Sequence, residues 1–122
     1  MKELHNITAK DVMRPPVIID PERTVAHAKN LMKKDNIYCL CICDNNRICG
    51  FVRRSGIPSE SDTETVGNIM EPCRMSVIAR SDLSFIIRLM EEEHLYSLPV
   101  MDRGKFVGII TRDSLNEDGF IQ

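Results

Sequence analysis

Apolar positions along this chain change their spacing several times, and they do so twice in the same order. Val25, Ala28, Leu31 and Met32 stand at helical spacing and form one stripe, as do Leu83, Ile86, Leu89 and Met90. Thr24 and Asp82 precede the stripes and suit the N-cap position. Ahead of each predicted helix lies a short apolar run, Val17-Ile18-Ile19 and Ser76-Val77-Ile78, that predicts a strand. Behind each helix come two runs across a turn. Tyr38–Cys43 and Ile48–Val52 flank Asp44-Asn45-Asn46-Arg47, and Tyr96–Met101 and Lys105–Ile110 flank Asp102-Arg103-Gly104. Asn and Gly tolerate the positive φ that tight hairpin turns require, so each pair predicts a hairpin.

The recurrence is a duplication. Setting residues 24–57 over 82–115, a constant offset of 58 without a gap, puts Leu31 on Leu89, Met32 on Met90, Tyr38 on Tyr96 and Leu40 on Leu98. Asp44 meets Asp102, Gly50 meets Gly108 and Arg54 meets Arg112. With one residue of slack, Asp11-Val12-Met13-Arg14-Pro15 echoes Asn68-Ile69-Met70-Glu71-Pro72, each a short predicted helix stopped by proline. Neither copy, at roughly 55 residues, would bury its apolar face comfortably alone. The expected organisation is a first repeat over residues 7–57, a linker over the polar, breaker-rich residues 58–65, and a second repeat over 66–117. Residues 116–122 are expected to fray.

Composition narrows the class. A chain of 122 residues with 43% hydrophobic and 28% charged content forms one ordinary globular domain. A net charge of −2 with interspersed signs argues against nucleic acid as a partner. No apolar run approaches the ~20 residues of a membrane span, and Met1–Asn6 lacks the apolar core of a signal peptide. Five cysteines without a framework spacing point to a reducing, cytoplasmic setting.

Cys39, Cys41 and Cys43 alternate and so share one face of a strand, a poor way to wrap ligands around one ion. With a two-residue turn at Asn45-Asn46, Cys49 falls opposite Ile42, on the other face. Packing as small hydrophobes is the expected role of these cysteines, and no metal is expected. His5, His27 and His94 share no ligand spacing. There is no phosphate loop, nucleophile elbow or paired-carboxylate motif, so the protein is not read as an enzyme.

A doubled β-α-β-β unit, each copy opened by an x-(Val/Ile)-Met-x-Pro helix, resembles a pair of CBS domains, a Bateman module. The carrying residues are the two openers, Tyr96-Ser97-Leu98-Pro99-Val100-Met101-Asp102, and Gly108-Ile109-Ile110-Thr111-Arg112-Asp113. Cys39-Leu40-Cys41-Ile42-Cys43-Asp44 is the weaker counterpart in the first copy. The resemblance spans Ile7 to Leu115. It implies an α/β (α+β) fold of two pseudo-twofold-related β-α-β-β-α units packed sheet to sheet, acting as a stand-alone regulatory sensor. Implied ligands are AMP, ADP, ATP or S-adenosylmethionine, held in an inter-repeat cleft with no required cofactor. Implied partners are a second copy, with His27, Phe85 and Ile86 adding apolar helix surface for a homodimer, and a regulated enzyme or transporter. A ligand-free dimerisation or scaffold module is the alternative, and a Cys-based metal or redox sensor a weaker one.

The resemblance also implies the site residues. The family's Gly-x-x-Thr/Ser-x-x-Asp signature places a hydroxyl and helix N–H groups on a phosphate and a carboxylate on a ribose. Here Thr111 is in place, the carboxylate of Asp113 comes one residue early, and Ser114 holds its position, so either Asp113 or Ser114 contacts the ribose. One cleft is expected to combine Ile109, Thr111, Asp113 and Ser114 with Pro16, Val17, Tyr38 and Cys39. The other is expected to combine Arg53 and Arg54 with Arg74, Met75, Tyr96 and Ser97, the arginines collecting phosphates.

Overall fold

The computed structural model describes residues 6–122. Of the Met1–Asn6 segment read above, residues 1–5, His5 among them, lie outside the described residues. The fold is mixed α+β, with two small sheets and five helices among the described residues. The chain divides into two compact units. The first is Pro16–Cys73; the second joins the segment ending at Pro15 to Arg74–Gln122.

In the first unit, β1 (Ile18–Ile19) runs through α2 (Val25–Asp35) into β2 (Cys39–Asp44), parallel to β1, and then into antiparallel β3 (Arg47–Arg53). The second unit repeats this with β5 (Val77–Ile78), α4 (Leu83–Glu92), β6 (Ser97–Asp102) and β7 (Lys105–Thr111). Parallel neighbours need a crossover, and the helix supplies it. The hairpins turn where expected, with positive φ at Asn45 and Asn46 and at Arg103 and Gly104. Each hairpin carries a bulge that spacing did not reveal. Ile42 pairs with Gly50 and Cys43 with Ile48, so Cys49 is the extra residue and does not lie opposite Ile42. Val107 is the corresponding residue between Phe106 and Gly108.

The helical stripes fill two cores. Val25, Ala28 and Met32 are buried with Leu40, Ile42 and Val52, and Leu83, Ile86 and Met90 with Leu98, Val100 and Ile110. Ile86 is fully buried and therefore adds nothing to an outer face, whereas Phe85 is 44% exposed. Thr24 caps α2 by accepting the His27 N–H at 3.2 Å. Asp82 holds the same position before α4, but its side chain accepts no capping bond. Instead the carbonyl of Ile7 receives the first N–H of α4, from Leu83, at 2.8 Å.

The openers change places. α1 (Ala9–Val12) opens the first repeat yet belongs to the second unit, where Ala9 N–H donates to Ser81 O and Lys10 N–H to Ala79 O, both at 2.9 Å. α3 (Val66–Ile69) opens the second repeat yet belongs to the first unit, where Val66 N–H donates to Arg23 O and Gly67 N–H to Pro21 O. Arg23 and Ser81, like Pro21 and Ala79, are related by the same 58-residue offset. β4 (Glu71–Pro72), just after α3, then adds to the edge of β3.

Two segments are more ordered than their composition suggests. Residues of the linker cap α2, with Val25 N–H on Glu64 O at 2.8 Å and Ala26 N–H on Asp62 O at 3.1 Å. Its polarity serves the orphan donors of a helix N-terminus. The expected fraying of residues 116–122 is also corrected. α5 (Arg112–Glu117) ends in a Schellman turn at Gly119, φ +80, with Phe120 N–H returning to Leu115 O and Gly119 N–H to Asn116 O. Phe120 and Ile121 pack onto the second core because that turn points them back at it.

Candidate functional site

β7 delivers Thr111 to the N-cap of α5, and three side chains meet there. Thr111 Oγ1 accepts the Ser114 N–H at 3.0 Å, and Ser114 Oγ lies 3.2 Å from the Thr111 N–H and 3.0 Å from its carbonyl. Ser114 is 7% exposed, so its hydroxyl is committed to the cap. Asp113, the next residue back, is exposed and turns its carboxylate outward. The Tyr96 hydroxyl donates to Asp113 Oδ2. Ser97 pairs with Thr111 across the hairpin and is buried. Ile109 is held by reciprocal main-chain bonds to Arg14 at 2.8 and 3.0 Å. The Arg14 guanidinium in turn reaches Asp118 at 2.9 Å, which raises its pKa further.

The equivalent junction in the first unit is built differently. Gly56 stands where Ser114 does, so no hydroxyl closes a cap, and β3 runs into a single 3₁₀ turn, Arg54–Gly56. Arg53 Nε donates to Glu71 at 2.9 Å. Cys39 pairs with Arg53 on the neighbouring strand. Tyr38 is 45% exposed, with the Arg54 guanidinium 4.6 Å from its ring centre. Val17 packs on the first core, and Pro16 at the start of the unit is half-buried. In the second unit Arg74 donates to Glu93 O at 3.0 Å and Met75 packs on the core.

Arg54 has a second role that the repeat foreshadowed. It donates to the carbonyls of Met32 (3.1 Å) and Ile37 (2.9 Å) at the end of α2. Arg112 does the same for Met90 (2.9 Å) and Leu95 (2.7 Å) at the end of α4. α2 is capped by left-handed Asn36, and left-handed His94 follows the Glu93 cap of α4, which leaves carbonyls for a cation to satisfy. The signal was the Arg54/Arg112 identity at the 58-residue offset; the partners lie 17 and 22 residues away, beyond any local motif.

The expected ligand set is thus distributed over both units. Pro16, Val17, Tyr38, Cys39, Arg53 and Arg54 belong to the first; Arg74, Met75, Tyr96, Ser97, Ile109, Thr111, Asp113 and Ser114 belong to the second. Within the second unit, Tyr96 and Ser97 join Thr111 and Asp113.

The cysteines are free thiols. Burial pushes the Cys43 thiol up to about 11 and the Cys41 thiol higher still. Among the described residues no group of three or more His, Cys, Asp or Glu is placed to hold a metal ion. No helix among the described residues is long and apolar enough to cross a membrane.

Two units of β-α-β-β order, each completed by the other repeat's opener, define a duplicated fold. The chain matches the CBS domain over residues 9–57 and 66–117, and it belongs to that family as a CBS pair, a regulatory module of a typically non-catalytic kind. It is 26% identical over 113 residues to Hypoxic response protein 1 of Mycobacterium tuberculosis, covering 85% of this chain and 79% of that one. The crystal structure of Hypoxic Response Protein I with two coordinated zinc ions superposes with a TM-score of 0.73 at 25% identity, over 92% of this chain and 98% of that one. The crystal structure of CBSX2 in complex with AMP gives 0.76 at 26% identity, over 93% and 96%.

Proposed function

We propose that this CBS pair senses an adenine nucleotide or related adenosyl compound, with Thr111 and Asp113 as the polar anchors supplied by the second unit. The observation that carries the reading is the asymmetry of the two junctions. Asp113 presents an outward carboxylate one residue from a cap hydroxyl, held by the Tyr96 hydroxyl. In the other junction Arg53 is already paired with Glu71 and Gly56 offers no side chain. A carboxylate accepts hydrogen bonds from both hydroxyls of a ribose, which a serine in a closed cap does not. The AMP complex of a 26% identical relative supports the ligand class. Ligand binding would act by shifting the population of states that a regulated partner recognises.

The test is a thermal-shift panel of AMP, ADP, ATP and S-adenosylmethionine. A ligand at about 100 times its Kd stabilises by about 2.7 kcal/mol, roughly 10 °C for a chain of this size. Asp113→Ala is expected to remove most of that shift and leave the unliganded melting point nearly unchanged. An undiminished shift in the variant refutes the assignment.

Homodimerisation is proposed through the outer face of α4, where Phe85 stays exposed with Arg88 5.9 Å from its ring centre. Light scattering is expected to give a dimer that Phe85→Glu converts to monomer; an unchanged dimer in that variant refutes this face.

A further inference from the structure

The first unit has an open groove of about 600 Å³ beside α2 whose floor includes Met32 and Ile57 and whose border includes Lys29, Lys33 and Arg54. The second unit has the same groove, closed. Its lining residues Ile87, Met90, Glu91, Arg112 and Leu115 are the 58-residue equivalents of Lys29, Met32, Lys33, Arg54 and Ile57. There the Schellman turn at Gly119 folds Ile121 into it, and only about 20 Å³ remains. In the first unit Gly56 and Pro58 stop the helix that would carry such a plug. The chain leaves instead to cap α2, and the position equivalent to Ile121 is Thr63, exposed on the linker.

The change from closed to open coincides with a change of charge. Ile87 and Glu91 of the plugged groove become Lys29 and Lys33, one helical turn apart on the same face. Lys29 is paired with Asp62 at 2.7 Å. Lys33 makes no ion pair among the described residues. Met32 lies beneath the groove at only 2% exposure, so half-buried Ile57 and exposed Pro58 supply most of the apolar surface, with Asn36 and Ser59 beside them. An occupant matched to this groove has an apolar body where Ile121 sits in the other unit, and a single anionic head at Lys33.

We propose that the first-unit groove binds an amphipathic monocarboxylate of medium-chain fatty-acid size, apolar chain over Met32 and Ile57 and carboxylate on Lys33. Its volume lies within the range of small-molecule sites. The proposal does not rest on the nucleotide reading: it uses none of Thr111, Asp113 or Tyr96.

The experiment is a titration with decanoate below its micelle concentration, followed by amide and methionine-methyl NMR and by calorimetry. Saturable binding is expected, with the largest shifts at Met32, Asn36 and Ile57. Affinity is expected to fall at least tenfold for decanol and at least tenfold in Lys33→Glu, which restores the charge of Glu91. Lys33 is exposed, so that variant folds; its amide spectrum checks this directly. Asp113→Ala is expected to bind decanoate as the parent does, which separates this site from the nucleotide site. No saturable binding up to millimolar decanoate, equal affinity for decanol, equal affinity in Lys33→Glu, or shifts centred on Phe120 and Ile121 would each overturn the proposal.

Discussion

Met13 Sδ occupies the space where a side chain at Gly108 would begin: a Cβ there would lie 2.5 Å from the sulfur. Met70 stands in the same relation to Gly50, at 2.8 Å, with the Glu71 carbonyl oxygen at 2.5 Å. The methionine of each opener therefore packs on the strand glycine of the other repeat, which gives both halves of the duplicated motif a physical reason.

Gly108→Ala and Gly50→Ala are expected to destabilise their units by about 1–3 kcal/mol in urea titrations, the usual cost of overpacking. Gly50→Ala should cost more, because a main-chain oxygen blocks it and a flexible thioether alone could move. Met13→Ala combined with Gly108→Ala should be better tolerated than the sum of the single changes. Strict additivity would show that the close approach carries no energy.

The guanidinium clamps predict that Arg112→Ala costs about 2–3 kcal/mol, since it leaves the Met90 and Leu95 carbonyls without a charged donor. Arg112→Lys should recover less than half of this, because one ammonium cannot reproduce the planar fork. Hydrogen exchange should localise the loss to the end of α4. Full rescue by lysine would mean that charge alone matters there.

The Thr111 cap predicts that Ser114→Ala lowers the unliganded stability by about 1 kcal/mol while leaving nucleotide affinity nearly intact. Asp113→Ala should show the reverse pattern. Paired melting curves with and without AMP read both at once. If Ser114→Ala removes the nucleotide shift and Asp113→Ala does not, the serine and not the aspartate meets the ribose.

The buried thiols predict an alkaline limit. Cys43 ionises near 9.0 when unfolded but near 11 when folded, and Cys41 is displaced in the same direction. Between these values the unfolded chain has already lost its proton and the folded one has not. The stabilisation is therefore complete below about pH 9 and is lost as pH rises through the folded value. Denaturation midpoints should fall between pH 9 and 11, and Cys41→Val with Cys43→Val should flatten that limb. Alkylation at pH 8 should label the half-buried Cys39, Cys49 and Cys73 before Cys41 and Cys43.

The duplication, the order of elements and both hairpin turns were legible because each is written in local spacing. Stripes of period 3.6 marked α2 and α4, and Asn45-Asn46 and Gly104 marked residues able to reach positive φ, whereas the positive φ of Arg103 carried no such signal. The stripe of α4 also placed Ile86 in the core, although a role in an outer face was expected of it. Of the site, the hydroxyl position of Thr111 was legible, but which of Asp113 and Ser114 turns inward was not. Which of two adjacent side chains turns inward depends on where the helix starts, and one residue's shift reverses the answer.

Residue identities 58 positions apart reveal the repeated unit, and the two openers with the Tyr96–Asp102 and Gly108–Asp113 runs carry the family. Which repeat each opener completes was decided only in the folded chain. A four-residue helix with two buried side chains, such as α1 with Ala9 and Val12, carries too little pattern to name its partner. The bulges at Cys49 and Val107, the linker's capping of α2 and the return of Ile121 onto its core were decided there as well. Each depends on which main-chain groups pair, and every residue but proline carries the same N–H and C=O whatever its side chain.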